Sequence, residues 1–191
     1  MFILILSFIT CFQTILSIGN CECGIGRRPE ATPRIINGKI VSPEGVYPWM
    51  VWLAGGCGRT LISNQHILTA AHCRNNSKGM KVHFGSNDRE KQEEAIVAVV
   101  NDNPKYKRVI QNDISILTLT KPIKFTHKVK PICLPTLSSV YNEGFGYGIA
   151  AGWGLTESGA KLLNMLRRGN MKIVNDRIDI IYFFLLFISR F

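Results

Sequence analysis

The stretch Leu68–Cys73, LTAAHC, places His72 after a short run of small and apolar residues and directly before a cysteine. A lone histidine is usually a hydrogen-bonded core residue, so a functional role for His72 has to be supported by the surrounding sequence. Cys57 and Cys73 are spaced to close a hairpin-sized loop, and a disulfide there would contribute roughly 3 kcal/mol beside His72. Asp113 opens the apolar run Asp113–Leu119, where a carboxylate can accept the Nδ1 hydrogen of an imidazole. These features favour a functional role for His72 over that of a core histidine.

The chain around this stretch consists of short apolar runs separated by clusters of Gly, Pro, Asn and Ser. Many short strands at this spacing predict an all-β sandwich or barrel. The predicted strands are Met50–Ala54, Thr60–Ser63, His66–Thr69, Lys81–Phe84, Ala95–Val100 and Asp113–Leu119, with a further candidate at Met171–Val174.

The two ends of the chain differ in composition from this region. Residues 1–19 are almost continuously apolar and uncharged, which predicts a signal peptide, with an N-terminal membrane helix as the alternative. Residues 20–34 are rich in Cys, Gly, Pro and charge, and we interpret them as a propeptide or linker. Residues 178–191 form an apolar tail with about ten consecutive apolar residues, too few for a membrane span. We interpret this tail as unrelated to the domain, as read-through of an unspliced intron would produce, and we expect no stable membrane insertion.

Composition excludes several classes of function. The net charge is +10, but the basic pairs are scattered, so no nucleic-acid footprint forms and no nucleic-acid partner is expected. The four histidines have no zinc-like spacing, and we expect neither a metal nor a cofactor. Removing the leader leaves five cysteines, an odd number that implies a free thiol, a bond to another chain or a missing partner. Asn75 begins an Asn-Asn-Ser acceptor for N-glycosylation in a predicted surface loop.

Four motifs, in order and at matching spacing, resemble those of the chymotrypsin-like (trypsin-fold) serine protease family. The resemblance runs from about Arg34 to Arg177, and we assign residues 35–177 to the protease-like domain. It implies a double β-barrel, of which the first barrel is complete and the second incomplete, because only about 157 residues remain from Ile35 onward. The motifs are Arg34-Ile35-Ile36-Asn37-Gly38, Tyr47-Pro48-Trp49, Cys57 with Thr69-Ala70-Ala71-His72-Cys73, and Asn112-Asp113-Ile114.

The resemblance also implies roles for single residues. His72 would be the general acid/base and Asp113 the carboxylate that orients it. A trypsin-like protease would cleave after Arg34 and free the amine of Ile35 to complete the active site. Cys133 would tether the propeptide through Cys21 or Cys23, between which the sequence does not choose. The partners implied are protein or peptide substrates, the activating protease and protease inhibitors.

The nucleophile of that family lies in a Gly-Asp-Ser-Gly-Gly stretch, and these 191 residues contain none. We therefore expect the sequence to derive from a secreted, extracellular endopeptidase zymogen, truncated before its serine and inactive as written. The first alternative is a non-catalytic protease homologue that acts as a binding or regulatory module. The second is a protein held in a membrane by one of its terminal apolar runs.

Overall fold

The computed structural model describes residues 22–29, 38–53, 58–74, 78–107, 111–134, 147–154 and 163–172. Within these ranges the regular structure is β-strand with two short 3₁₀ helices, at Ala71–Arg74 and Arg89–Lys91. The all-β prediction is confirmed. The strands are β1 (Lys39–Ile40), β2 (Met50–Trp52), β3 (Gly58–Leu61), β4 (His66–Thr69), β5 (Lys81–Phe84), β6 (Glu93–Asp102), β7 (Ser115–Leu119), β8 (Tyr147–Gly152) and β9 (Arg167–Lys172).

Six of these strands close into an antiparallel barrel in the order β2-β3-β4-β7-β6-β5. In β7 the side chains alternate: Ser115, Leu117 and Leu119 are buried, whereas the two residues between them are only partly so. The strand β6 changes register between Val97 and Val99, a bulge of the kind that helps a long strand curve around a barrel. The interior is filled by Val51, Leu53, Leu61, Ile67, Val82, Phe84, Val97, Leu117, Leu119 and Val129.

The other three strands form an open antiparallel sheet in the order β1-β9-β8. One closed barrel beside an open second sheet is consistent with the predicted fold, a complete first barrel followed by an incomplete second one. The sheet packs on the barrel through a small apolar cluster that includes Val41, Val46, Trp153 and Leu166.

Residues 22–29 lie along the outside of the barrel and have no regular structure. A disulfide between Cys23 and Cys133 covalently attaches this segment, with a Cα–Cα distance of 5.0 Å. The backbone amide of Gly24 donates to the carbonyl of Pro131 at 2.8 Å, and that of Arg27 donates to the carbonyl of Gly45 at 2.7 Å. The segment predicted as a propeptide is therefore held by one covalent bond and by backbone hydrogen bonds.

The strand predictions differ from the structure mainly at their ends. The predictions for His66–Thr69 and Lys81–Phe84 are confirmed to the residue. The strand predicted at Met171–Val174 overlaps β9, Arg167–Lys172, at its first two residues, and residues 173–174 lie outside the described ranges; β9 begins four residues earlier than predicted because it pairs with β8 and β1. The glycine-dense stretch Tyr147–Gly152 is not predicted as a strand from its own residues, and it forms one through the same pairing.

Candidate active site

The ladder between β4 and β7 determines where His72 and Asp113 lie. The two strands are antiparallel, and Thr69 at the end of β4 pairs with Ser115 at the start of β7. His72 comes three residues after Thr69, and Asp113 comes two residues before Ser115. Both residues therefore emerge from the same end of one ladder, although 41 positions separate them in sequence.

His72 lies on the short 3₁₀ helix Ala71–Arg74, which follows β4 almost directly. Ala70, Ala71 and Cys73 are buried, whereas His72 between them is exposed. Ile114 packs against the buried pair Ala70 and Cys73 from the Asp113 side. The alternation of small buried residues with one polar residue therefore anchors the turn and directs the imidazole outward.

Asp113 occupies a tight turn immediately before β7. Asn112 has a φ of 57°, in the left-handed region that asparagine tolerates better than most residues. The amide of Ile114 donates to the carbonyl of Asn112 at 2.9 Å, which makes Asp113 the central residue of a three-residue turn. This turn explains why the strand begins at Ser115 and not at Asp113 as predicted.

The carboxylate of Asp113 makes two hydrogen bonds to His72, one to its backbone and one to its ring. The backbone amide of His72 donates to Oδ1 of Asp113 at 2.8 Å, and Nδ1 of His72 lies 2.5 Å from Oδ2 of Asp113. The Asp113 side chain is 14% exposed and that of His72 is 42% exposed. An ionised carboxylate only accepts hydrogen bonds, so this contact favours Nδ1 as the donor, and the neutral ring in that tautomer has its lone pair on Nε2.

The second ring nitrogen, Nε2 of His72, lies 3.2 Å from Sγ of Cys73. Cys73 is disulfide-bonded, so its sulfur has no proton to give and is not the nucleophile that this imidazole would serve. The arrangement can therefore accept or donate a proton at Nε2, but the described residues do not include the group on which it would act.

His66 gives a contrast from the same strand. It lies on β4 itself, and its Nδ1 atom is 2.8 Å from the hydroxyl oxygen of Ser63. Partial burial lowers the pKa of His66, because desolvation disfavours the charged imidazolium. The hydroxyl partner of His66 is neutral, whereas Nδ1 of His72 faces a carboxylate that can orient the ring, so His72 is the better candidate for proton transfer.

Arg59 on β3 also contacts this site, and its sequence position predicts no role for it. Its side chain is 1% exposed, and its Nη2 atom donates to the backbone carbonyl of Cys73 at 2.9 Å. Burial lowers the pKa of Arg59 to about 10, so the guanidinium still carries its charge at neutral pH. The sequence gives no clear signal for this contact, because β3 reads Gly58-Arg59-Thr60-Leu61 and Arg59 lies outside the strand predicted at Thr60–Ser63.

Of the other predicted site residues, Arg34, Ile35, Cys57 and Asn75 lie outside the described residues, so activation, the Cys57–Cys73 pairing and glycosylation stay predictions. Within the described ranges no group of three or more His, Cys, Asp or Glu residues is arranged to hold a metal ion. No helix in the described part of the chain is long and apolar enough to cross a membrane.

Comparison with known proteins gives one consistent family. The family model described as Trypsin matches residues 35–180. Mouse ovochymase-2 is 32% identical over 184 residues, which cover 86% of this chain and 30% of that protein. The proclotting enzyme of Tachypleus tridentatus is 30% identical over 175 residues, covering 79% of this chain and 46% of the relative. Mouse transmembrane protease serine 11C is 31% identical over 143 residues, covering 70% of this chain and 33% of the relative. The chain thus spans less than half the length of these relatives.

Proposed function

The chain belongs to the trypsin family of serine proteases, and we propose that His72 and Asp113 form the acid–base half of an endopeptidase site. The observation that carries the proposal is the pair of hydrogen bonds, at 2.8 and 2.5 Å, by which Asp113 holds both the backbone and the ring of His72. An orienting carboxylate on one ring nitrogen of a partly exposed imidazole is the arrangement that general acid/base catalysis requires.

In this mechanism Nε2 of His72 takes the proton of a serine hydroxyl as the oxygen attacks the peptide carbonyl. It later gives a proton to the leaving amine, so the imidazole is unchanged after each half-reaction. Asp113 stabilises the imidazolium that forms between these transfers and holds the ring in the Nδ1–H tautomer. These 191 residues contain no Gly-Asp-Ser-Gly-Gly stretch, so we propose this mechanism for a protein that contains both the pair and such a serine.

We propose further that the enzyme is a secreted zymogen activated by cleavage after Arg34. The apolar leader over residues 1–19 and the Cys23–Cys133 disulfide both favour an oxidising, extracellular destination. Cleavage would free the amine of Ile35, which is largely charged at neutral pH and therefore able to pair with a carboxylate. The Cys23–Cys133 bond would keep the released segment attached to the barrel.

The test begins with the 3′ end of the transcript, sequenced from upstream of the Lys161 codon. If the frame continues into a Gly-Asp-Ser-Gly-Gly stretch, that complete zymogen is expressed and cleaved after Arg34, and protein hydrolysis is measured. We expect Asp113→Asn to lower kcat about 10⁴-fold, which is the loss that the same substitution causes in the triad of trypsin itself. His127→Gln replaces an exposed histidine outside the site and should leave kcat unchanged.

Two outcomes would contradict the endopeptidase proposal. A frame with the serine stretch whose activity does not depend on His72 or Asp113 would remove their assigned roles. A transcript that ends in the codons of Ile180–Phe191, with a secreted and folded product that an active-site fluorophosphonate does not label, would instead support a non-catalytic homologue.

A further inference from the structure

Arg59 presents a physical problem that the fold alone does not explain. It lies on β3, where it pairs with Val51 of β2, and its side chain is 1% exposed. Removing a guanidinium from water costs several kcal/mol unless hydrogen bonds compensate, and an apolar side chain would fill the same space without that cost. The charge therefore needs a specific partner.

One partner is the peptide carbonyl of Cys73, which accepts from Nη2 of Arg59 at 2.9 Å. This carbonyl belongs to the residue after His72, within the same 3₁₀ helix. The four-residue turn is thus held by a hydrogen bond at each of two adjacent residues, by Asp113 at His72 and by Arg59 at Cys73. Hydrogen bonds from a charged donor are stronger than neutral ones, particularly where water is excluded.

We propose that Arg59 is a positioning residue for the acid–base pair. It fixes the turn at Cys73, so that the ring of His72 meets Oδ2 of Asp113 with Nδ1 and leaves Nε2 for the nucleophile. Arg59 touches neither substrate nor reacting atoms, and it acts only through the geometry of His72. The inference rests on the proposed function, because positioning has meaning only if the pair transfers protons.

The readout is the tautomer of His72, because a merely structural role for Arg59 would not change it. The full 191-residue chain is labelled with ¹⁵N-histidine, and the two ring nitrogens of His72 are observed by NMR at alkaline pH. In the wild type we expect the Nδ1–H tautomer, held by Asp113. In Arg59→Met the ratio of Nδ1–H to Nε2–H should fall about five- to tenfold, the effect of losing most of one hydrogen bond.

Three further variants separate positioning from loss of stability. Arg59→Lys keeps a cationic donor but not the planar guanidinium, so its tautomer ratio should lie between those of Arg59→Met and the wild type. Val82→Ala weakens the barrel core, where Val82 is fully buried, and should lower the melting temperature without changing the tautomer. In an Asp113→Asn background the tautomer preference is already lost, so adding Arg59→Met should change nothing further.

The outcomes distinguish this inference from the function on which it rests. If the wild type lacks the Nδ1–H preference, the acid–base pair itself is not formed and the proposed function fails. If the wild type has the preference and Arg59→Met keeps it, only the positioning role is wrong. If Arg59→Met does not fold, the comparison moves to Arg59→Lys. A ratio below that of Val82→Ala then supports the role, and a ratio equal to that of Val82→Ala overturns it.

Discussion

Asn87 joins the barrel to the open sheet through hydrogen bonds. Replacing it with alanine tests how much these bonds stabilise the packing of the sheet on the barrel. Its Nδ2 atom donates to the carbonyl of Val41 at 2.9 Å and to that of Pro43 at 3.3 Å. Its own carbonyl accepts from Nε1 of Trp153 and from the amide of Leu166, both at 2.8 Å. Asn87 is 6% exposed, so the polar groups around its side chain depend on one another and not on water.

The expected magnitude follows from which of these bonds the substitution removes. Asn87→Ala keeps the backbone carbonyl and its two donors, but it removes the side-chain amide. Two carbonyls lose a donor: the bond to Val41 is buried, so its unsatisfied carbonyl costs about 1–3 kcal/mol, whereas the bond to Pro43 is only partly buried and its loss costs less. Because the 3.3 Å bond is the weaker one, we expect a loss of about 2–4 kcal/mol in the free energy of unfolding. In a domain of this size that lowers the melting temperature by roughly 5–15 °C.

The assay is urea and thermal unfolding of Asn87→Ala and of a control variant, Asn164→Ala. Asn164 also makes side-chain hydrogen bonds, to Glu90 at 2.8 Å and from Arg89 at 3.0 Å, but these bonds are exposed to solvent. Asn164→Ala should therefore cost less than about 0.5 kcal/mol, as surface substitutions usually do. Equal losses for Asn87→Ala and Asn164→Ala would refute the idea that burial makes the Asn87 bonds costly to lose.

Two further predictions concern the segments that border the barrel. A Cβ atom at Gly26 would lie 2.1 Å from the carbonyl oxygen of Val46, so Gly26→Ala should displace residues 22–29 and speed their limited proteolysis, whereas Gly169→Ala, with nothing within 4 Å, should not. A hydrogen bond from Lys128 is the largest cause that lowers the pKa of Glu44 from its ordinary value of 4.5. The stabilisation of the fold by this pair is therefore full above about pH 4.5 and is lost as the pH falls below it. Lys128→Met should thus lower the melting temperature at pH 7 more than at pH 3; equal losses would contradict the pairing.

The parts of the fold that can be predicted from sequence are those whose signal is local. Lys81–Phe84 alternates polar and apolar residues between two turn clusters, and His66–Thr69 follows the turn residues Ser63-Asn64; both predictions match the structure. The strand β8 could not be predicted, since Tyr147–Gly152 contains two glycines and owes its extended form to pairing with β9. The position of Arg59 against the His72 turn was equally hidden, because the contact depends on how β3 and the 3₁₀ helix pack and not on either sequence alone.

The proposed acid–base pair depends on barrel elements: the β4–β7 ladder brings His72 and Asp113 together, and Arg59 reaches the same turn from β3. The hydrogen bonds of His72 therefore do not depend on the open sheet or on any nucleophile. This independence explains why the motifs around His72 and Asp113 could be recognised, and why a well-formed pair is not by itself evidence of hydrolysis. Measuring the tautomer of His72 shows whether His72 and Asp113 are paired, and measuring protein hydrolysis shows whether the nucleophilic serine is present. Together they determine which half of the proposed site a given product of this gene contains.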